Sequence, residues 1–167
     1  MDCIKMVVTM NPCKCGWYGD PSERCTCSEN SVLNYRSRVS GPLLDRIDII
    51  VEVPSVHYTH LRERKETEPS AAIKERVNRA RMVQNRRFGE QSGMCNATMG
   101  PNEIRNHCKL DDESDTLMRQ AFDVYGLTAR SYDRILKVAR TIADLDGSKS
   151  ITSDHIAEAI QYRAVEL

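Results

Sequence analysis

Two closely spaced cysteine pairs are the residues of this chain with the clearest capacity for chemistry. They are Cys13 with Cys15 and Cys25 with Cys27, and the nine residues between them include two glycines, a proline and an aspartate. Four thiolates in one turn-rich loop suit a tetrahedral Zn²⁺ ion, which accepts soft sulfur ligands. The alternative is a loop of four reduced cysteines, because common structural zinc sites place two residues between paired cysteines. We favour zinc, bound by the loop of residues 13–27.

A second candidate is Arg46, which lies in the run Ser-Gly-Pro-Leu-Leu-Asp-Arg-Ile-Asp of residues 40–48. It stands at the start of an apolar segment that we predict to be a buried strand. A charge in this position either faces a ligand or a neighbouring molecule, or is solvated, as most charged residues are. The spacing alone leaves both interpretations open.

A third candidate is Arg130, which follows Thr128, the predicted cap of a helix. As the second residue of that helix, Arg130 carries a charge that the helix dipole disfavours by a few tenths to about 1 kcal/mol. Such a cation could be held out to meet an anion. The alternative, which this feature alone favours, is a solvated arginine that pairs with Asp123 or Asp133.

A fourth candidate is a basic helix that is predicted from Ser70 onward. Its cations surround one apolar face and are Lys74, Arg76, Arg79, Arg81, Arg86 and Arg87. These side chains could contact a nucleic-acid backbone. A run of charges on a helix is more often a solvated face, and we favour that interpretation for this helix taken alone.

Residues 1–54 have the pattern of an α/β unit. The apolar stretches at residues 4–10 and 47–53 predict two buried strands, and a proline lies just beyond each. A helix is predicted at residues 31–38, after the cysteine loop. Two buried strands are not stable alone, so they need partner strands that this chain does not visibly contain.

The remainder of the chain divides into a connector and a helical part. Residues 55–69 are charged, with too few apolar side chains for a core, and residues 70–167 have helical periodicity. The predicted amino-terminal caps are Thr128 and Thr152, and the predicted carboxyl-terminal caps are Gly126 and Gly147. The helix after Thr128 has one apolar face, formed by Tyr132, Ile135, Leu136, Ala139, Ile142 and Ala143. We therefore expect a small helical bundle with this helix at its centre.

The composition excludes several classes of function. The chain has 167 residues with 24 basic and 24 acidic side chains, so any contact with nucleic acid needs a local patch. No apolar run approaches the roughly 20 residues of a membrane span, and no secretory leader is apparent. We expect a soluble, cytoplasmic protein with no membrane partner. Cysteines outside the two pairs (Cys3, Cys95 and Cys108) are then expected to be small apolar fillers.

The motifs of a self-sufficient nucleotidase do not occur in these residues. There is no G-x-x-x-x-G-K-[ST] loop to hold phosphates, and no apolar strand ends in an Asp-Glu pair that would bind magnesium. We therefore interpret the chain as incomplete as a catalyst and expect it to be inactive alone.

Three separate motifs, in this order, resemble the carboxyl-terminal part of the magnesium-chelatase-related AAA+ ATPases of the ComM/YifB family. The first is Asn-Pro-Cys-Lys-Cys-Gly at residues 11–16, with Gly-Asp-Pro at 19–21 and Cys-Thr-Cys at 25–27. The second is the run at residues 40–48, and the third joins Leu-Thr-Ala-Arg-Ser-Tyr at 127–132 to Val-Ala-Arg-Thr-Ile-Ala-Asp-Leu at 138–145. The likeness extends from about residue 4 to residue 163.

The resemblance implies the distal part of an AAA+ core, which carries the cysteine loop, followed by a helical-bundle lid. In that family an upstream region holds a Lon-protease-like domain and then the Walker A and Walker B strands. The intact protein would accordingly use ATP and Mg²⁺, assemble with neighbouring subunits into a ring, expected to be a hexamer, and remodel DNA. The upstream half would also supply the strand partners that this chain lacks.

The resemblance implies roles for three residues. Asn11 would be the sensor 1 residue, which positions the attacking water near the γ-phosphate. Arg46 would be the arginine finger that reaches the nucleotide of the neighbouring subunit, and Arg130 would be the sensor 2 residue of the lid. Guanidinium groups suit these roles because phosphoryl transfer spreads negative charge over the γ-phosphate oxygens.

Two other functions stay open at this point. One is a stand-alone zinc-binding module that binds nucleic acid or a protein without a nucleotide. The other is the ATPase subunit of magnesium chelatase itself, although the cysteine loop after Asn11 resembles the ComM branch. A Walker A motif upstream and in frame would favour the ATPase over the zinc module.

Overall fold

The computed structural model describes residues 6–56, 58 and 67–163. The helices within those residues are α1 (Glu29–Arg36), α2 (Gly41–Leu44), α3 (Ser70–Phe88), a 3₁₀ helix (Asn96–Thr98), α4 (Pro101–His107), α5 (Asp112–Tyr125), α6 (Ala129–Asp146) and α7 (Ser153–Gln161). The described residues fall into two compact units. The first lies within residues 1–47 and 51–65, and the second lies within residues 48–50 and 66–166.

The first unit has a small core next to the cysteine loop. Among its described residues, Cys13 and Val32 of α1 are the buried apolar ones, at 0% and 3% exposure. Helix α1 begins at Glu29, two residues earlier than predicted, because the hydroxyl of Ser28 accepts a hydrogen bond from the backbone N–H of Ser31 at 3.3 Å. The predicted helix is therefore confirmed with shifted bounds.

The two predicted strands need correction. The described residues of both segments, 6–10 and 47–53, have no strand structure. Their apolar side chains are largely in solvent, with Val7 at 93% and Val53 at 85% exposure. A strand persists only when its backbone groups pair with a neighbour, and the part of the chain that the structure describes contains no such neighbour. Within the described residues, the α/β part of the predicted fold is therefore not confirmed.

The second unit is a helical bundle centred on α6, as predicted. This helix packs against α7, α3, α4 and the 3₁₀ helix, and α5 packs against α7. The predicted apolar face of α6 is confirmed, since Ile135, Ala139 and Ala143 have no exposed surface. Met118 of α5 and Ile156 of α7 complete the centre of the core.

The predicted caps define the ends of the last helices. At the start of α6, the hydroxyl of Thr128 accepts a hydrogen bond from a first-turn backbone N–H at 3.2 Å. Gly126 and Gly147 end α5 and α6 with φ of 57° and 75°, the left-handed conformation that glycine adopts without strain. At α7, the backbone N–H of Thr152 donates to Nδ1 of His155 at 3.0 Å, so an imidazole takes the place of the usual glutamate.

A buried ionic group, which we call the Asp144 cluster, ties α3 and the 3₁₀ helix to α6. The Asp144 carboxylate accepts hydrogen bonds from Arg87 at 2.8 Å, from Asn96 at 2.8 Å and from Arg140 at 3.2 Å. Burial lowers the pKa of Arg140, and the neighbouring carboxylate of Asp144 opposes that effect. Buried charges need close partners, so the cluster requires these three elements to stay in register.

Helix α3 is buried over only part of its predicted apolar face. Ala80 and Gln84 are buried, whereas Ile73 and Val77 are 41% and 45% exposed. The buried residues of this face therefore lie in the carboxyl-terminal half of α3. Among the described residues, no helix has both the length and the hydropathy that are needed to span a membrane.

Two of the three cysteines outside the cysteine loop lie in the part of the chain that the structure describes. Cys108 is buried, as expected of an apolar filler, whereas Cys95 is partly exposed. Cys3, residues 4–5 of the first predicted strand and residues 57 and 59–66 of the predicted connector lie outside the described residues.

Candidate metal centre and arginine sites

The four cysteines of the predicted zinc loop converge on one point. The cysteine cluster, meaning Cys13, Cys15, Cys25 and Cys27, has its sulfur atoms within 4.8 Å of one another. The separations of Cys13 from Cys15, Cys15 from Cys25 and Cys13 from Cys25 are 3.3, 3.6 and 3.9 Å. Four sulfurs placed tetrahedrally at about 2.3 Å from an ion are about 3.8 Å apart. The cluster therefore has the dimensions of a metal–thiolate site.

A tight turn after the first cysteine pair directs backbone donors at the sulfurs. Gly16 has φ of 82°, and its N–H donates to the carbonyl oxygen of Cys13 at 3.1 Å. Burial raises the pKa of the Cys13 thiol, but the backbone N–H groups of Tyr18 and Trp17 help to make the net shift downward, and the N–H of Trp17 also lowers the pKa of Cys15. Such N–H donors stabilise the negative charge of thiolate ligands and orient them.

The electrostatics of the cysteine cluster favour a thiolate at Cys15. The backbone N–H of Trp17, followed by the Cys13 sulfur, lowers the pKa of Cys15 to about 6. At Cys25 the backbone N–H of Cys27 lowers the thiol pKa, but burial and the neighbouring sulfurs outweigh it and raise the pKa to about 11. A divalent cation would let the remaining thiols ionise as well, since metal ligation requires thiolates.

Two arginines pack against the aromatic side chains of the cysteine loop. The guanidinium carbon of Arg24 lies 4.9 Å from the ring centre of Trp17, and that of Arg36 lies 5.0 Å from the ring centre of Tyr18. Arg36 also donates from Nε to the carbonyl oxygen of Pro12 at 3.3 Å, so α1 holds the chain just before the loop. Four converging sulfurs with oriented backbone donors fit a metal that accepts sulfur ligands.

Asn11, the predicted sensor 1 residue, lies at the base of the cysteine loop. A Cβ atom added at Gly16 would be 3.8 Å from Cγ of Asn11, so the Asn11 side chain lies beside the turn at Gly16. Asn11 is exposed, and its amide is therefore accessible to a molecule outside the chain. The structure thus brings Asn11 together with the cysteine cluster.

Arg46, the predicted arginine finger, belongs to the first unit and directly follows the short helix α2. The residue is exposed, and its Nη1 donates to the carbonyl oxygen of Pro42 at 2.7 Å. Its guanidinium therefore lies back against the turn that precedes it. The side chain would have to leave Pro42 before it could bind elsewhere.

Arg130, the predicted sensor 2 residue, belongs to the second unit and is an exposed residue of the first turn of α6. Arg134 follows one turn later on the same face, and Arg163 donates to the hydroxyl of Ser131 at 3.4 Å. Three arginines thus gather near the amino terminus of α6, where the helix dipole is also positive.

Sequence reasoning missed the contacts that join residues 48–50 to the helical bundle. Asp48 pairs with Arg134, and the backbone N–H of Ile50 donates to the carbonyl oxygen of Tyr162 at 2.9 Å. The one signal for Arg134 was its spacing of four residues from Arg130, which places both on one helix face. Nothing in the sequence identifies Asp48 as its partner.

Comparison with known proteins gives two family matches. Residues 3–61 match the family described as Magnesium chelatase, subunit ChlI. Residues 67–163, more than half of the chain, match the family described as Magnesium chelatase, subunit ChlI C-terminal.

Individual relatives agree with these family matches. The chain is 39% identical over 97% of its length to Competence protein ComM of Haemophilus influenzae, and 40% identical over 98% of its length to YifB of Escherichia coli. An uncharacterized protein of Mycobacterium tuberculosis is 30% identical over 96% of the chain. In each case the chain spans 31% of the length of the relative. The resemblance carried by the three sequence motifs is confirmed, and the chain belongs to the magnesium chelatase ChlI family, in its ComM/YifB branch.

Proposed function

We propose that this chain is the distal part of an AAA+ ATPase, in which it joins a nucleotide-binding half that carries the Walker motifs. We call the two parts together the intact ATPase. The observation that carries the proposal is the order of the family matches, a ChlI segment at residues 3–61 followed by a ChlI carboxyl-terminal segment at 67–163. The relatives are about three times as long as the chain, so such proteins have room for that half.

The exposed apolar segments of the first unit support this proposal. Val7 and Val8 are 93% and 63% exposed, and Val51 and Val53 are 62% and 85% exposed. Leaving this surface in water is unfavourable by roughly 25 cal/mol for each Å² that a partner would bury. Strands of a nucleotide-binding half would cover these side chains and pair with their backbone groups.

Three side chains of this chain act on the γ-phosphate in the proposed reaction. The Asn11 amide orients the attacking water, Arg130 binds the phosphates in its own subunit, and Arg46 leaves Pro42 to reach those of the neighbouring subunit. As the bond to the leaving oxygen breaks, negative charge spreads over the γ-phosphate oxygens, and both guanidinium groups stabilise it. Magnesium, held by the nucleotide-binding half, supplies charge neutralisation between the β- and γ-phosphates.

An arginine that acts on the neighbouring subunit requires a closed ring of subunits, which we propose to be a hexamer. Remodelling of DNA is the work that we propose for this ring. The basic helix α3 offers only a limited patch for DNA, because Arg76 pairs with Glu68 at 2.7 Å and Arg87 is committed to Asp144. Other contacts with DNA would have to come from the rest of the ring.

The purified chain by itself should not hydrolyse ATP. Its 167 residues contain no Walker A loop to hold the β-phosphate and no Asp-Glu pair for magnesium. The measurement is steady-state phosphate release by the chain and by the intact ATPase at equal subunit concentration. Turnover by the chain alone that Asn11→Ala abolishes would overturn the proposal, because the site would then be complete within these residues.

We also propose that the cysteine cluster holds Zn²⁺ as a structural ion. Four sulfur ligands complete a tetrahedral site and leave no position for a substrate, which is typical of structural zinc. Among the described residues of the first unit, Cys13 and Val32 are the buried apolar side chains, so the unit has little other core. A bound ion therefore replaces the hydrophobic core as the main source of order in this loop.

Protein purified without added metal should contain about one zinc per chain by elemental analysis. Cys25→Ser should lose most of that zinc, because it removes one of the four ligands. Cys95→Ser is the matched control, since Cys95 is also partly exposed but lies outside the cluster, and it should keep the zinc. A zinc content near zero, with all four cluster thiols open to alkylation, would contradict the assignment.

One observation favours the alternative of a zinc-binding interaction module. Trp17 and Tyr18 are 38% and 41% exposed beside the cysteine cluster, and Trp, Tyr and Arg dominate the energetics of binding interfaces. The two functions differ in the effect of Arg46→Ala. This substitution removes ATP hydrolysis only if the chain works within an ATPase.

A further inference from the structure

The short segment of residues 48–50 is attached to the helical bundle at both of its ends. Asp48 accepts a hydrogen bond from Arg134 of α6, and its carboxylate forms an ion pair with that guanidinium. Two residues later, the N–H of Ile50 donates to the carbonyl oxygen of Tyr162, at the end of α7. This segment therefore belongs to the second unit, although in sequence it interrupts the first between residues 47 and 51.

The attachment restricts where Arg46 can go. Arg46 precedes Asp48 by two residues, and an extended chain spans at most about 3.6 Å per residue. The Cα atom of Arg46 therefore stays within about 7 Å of the Cα atom of Asp48. A displacement of Asp48 beyond that reach must therefore carry the backbone of Arg46 with it, and an Asp48 held in place confines Arg46 to its neighbourhood.

Helix α6 carries both Arg130 and Arg134, the arginine that pairs with Asp48. Arg130 and Arg134 are four residues apart and lie on the same face, one turn from each other. The rest of α6 is rigid, because its apolar face fills the core and Asp144 is buried against Arg87 and Arg140. A displacement imposed on Arg130 is therefore transmitted to Arg134 rather than absorbed within the helix.

We propose that the pair of Arg134 and Asp48 positions Arg46 according to the state of Arg130. This inference rests on the proposed function, in which Arg130 binds phosphate in its own subunit and Arg46 acts on the next. Phosphate at Arg130 would fix the first turn of α6, and the ion pair would then fix Asp48 and the backbone of Arg46. Each subunit would thus present its arginine to the neighbouring site only when its own nucleotide is in place.

Arg134→Ala tests this role in the intact ATPase. The turnover number kcat should fall by about 10- to 100-fold, the size of effect expected when a catalytic group remains present but is misplaced. KM for ATP should stay within about twofold, because the phosphate contacts of the same subunit are kept. A half-exposed ion pair contributes little to folding, so the variant should stay folded by circular dichroism.

Mixing subunits gives the decisive readout. Arg134 lies on the same helix as Arg130, yet its loss should behave like a defect in the arginine that is presented to the neighbour. Mixed with a Walker B variant, which binds ATP without hydrolysing it, Arg134→Ala should regain activity, because an intact pocket can then receive an intact arginine from the ATP-bound Walker B subunit. Arg130→Ala should not regain activity in the same mixture. Both variants in that mixture have a damaged nucleotide pocket, so no subunit supplies an intact one.

The charge swap, Arg134→Asp with Asp48→Arg, should recover most of the lost turnover, whereas Arg134→Asp alone should not. The same double variant decides the case if Arg134→Ala fails to fold. Arg119→Ala is the matched control, because Arg119 forms an exposed ion pair with Asp115 at 2.9 Å on α5 and should leave kcat unchanged.

Two results would overturn the inference while leaving the proposed function intact. One is wild-type turnover in Arg134→Ala when Arg46→Ala is inactive, and the other is failure of Arg134→Ala to regain activity in the mixture when Arg46→Ala does. If Arg46→Ala itself retains full turnover, the proposed role of Arg46 fails and this inference fails with it.

Discussion

Replacing Arg46 with alanine in the intact ATPase should lower ATP hydrolysis by about 10³-fold or more, the effect of losing an arginine finger in related phosphoryl-transfer systems. The reason is electrostatic, since the guanidinium meets charge that develops on the γ-phosphate oxygens in the transition state. Nucleotide affinity should change little, because the contact belongs to the neighbouring subunit and strengthens only during reaction. The measurements are phosphate release at saturating ATP and equilibrium binding of a fluorescent nucleotide.

Subunit mixing shows on which side of the site Arg46 acts. In a random equal mixture of Arg46→Ala with a Walker B variant that binds ATP without hydrolysing it, about one site in four combines an intact pocket with an intact arginine. Activity should therefore reappear in this mixture although each variant alone is inactive. Arg38→Ala is a suitable control, since Arg38 is an exposed arginine of the same unit and should retain activity.

The assignment of Arg46 has a clear failing outcome. If Arg46→Ala keeps hydrolysis within about twofold of wild type, the barrier has changed by only about 0.4 kcal/mol. Arg46 would then be an ordinary charged residue that follows a helix. Its role would then be structural, and the contact with the Pro42 carbonyl oxygen would be part of it.

The features that the sequence predicts well depend on near neighbours along the chain. The cysteine pairs could be predicted to converge because only nine residues separate them, and these include two glycines, a proline and an aspartate. The caps at Thr128 and Gly147 are likewise set by hydrogen bonds within one helical turn. The apolar face of α6 follows from its periodicity alone.

The features that the sequence did not predict depend on distant partners. Residues 6–10 have the composition of a buried strand, but a strand needs backbone groups from other segments, which the described residues do not provide. Asp48 and Arg134 are 86 residues apart, and Arg87 and Asp144 are 57 residues apart. Neither pair is marked by any local pattern, so only the folded structure assigns them.

Loss of the Asp144 carboxylate should destabilise the helical bundle more than any exposed substitution. Asp144→Ala leaves Arg140, which is 2% exposed, and the mostly buried Arg87 without their shared counter-ion. It also removes one of the two acceptors of the Asn96 amide, and Asn96 is 1% exposed. Breaking a buried ion pair by removing one partner costs about 3–5 kcal/mol. Such a loss is a large fraction of the roughly 5–15 kcal/mol that stabilises an ordinary domain.

Urea unfolding of the 167-residue chain, followed by circular dichroism at 222 nm, measures this loss for the helices. Asp144→Ala should unfold at a much lower urea concentration than wild type. The midpoint of Asp144→Asn should lie between the two, because the amide keeps the shape of the side chain and one acceptor oxygen. Asp115→Ala is the control, since it breaks an exposed pair with Arg119 and should cost no more than about 0.5 kcal/mol. Equal midpoints for Asp144→Ala and Asp115→Ala would contradict the role of the Asp144 cluster. The Asp144 cluster would then no longer explain why α6 is rigid. That rigidity is what lets a displacement at Arg130 reach Arg134.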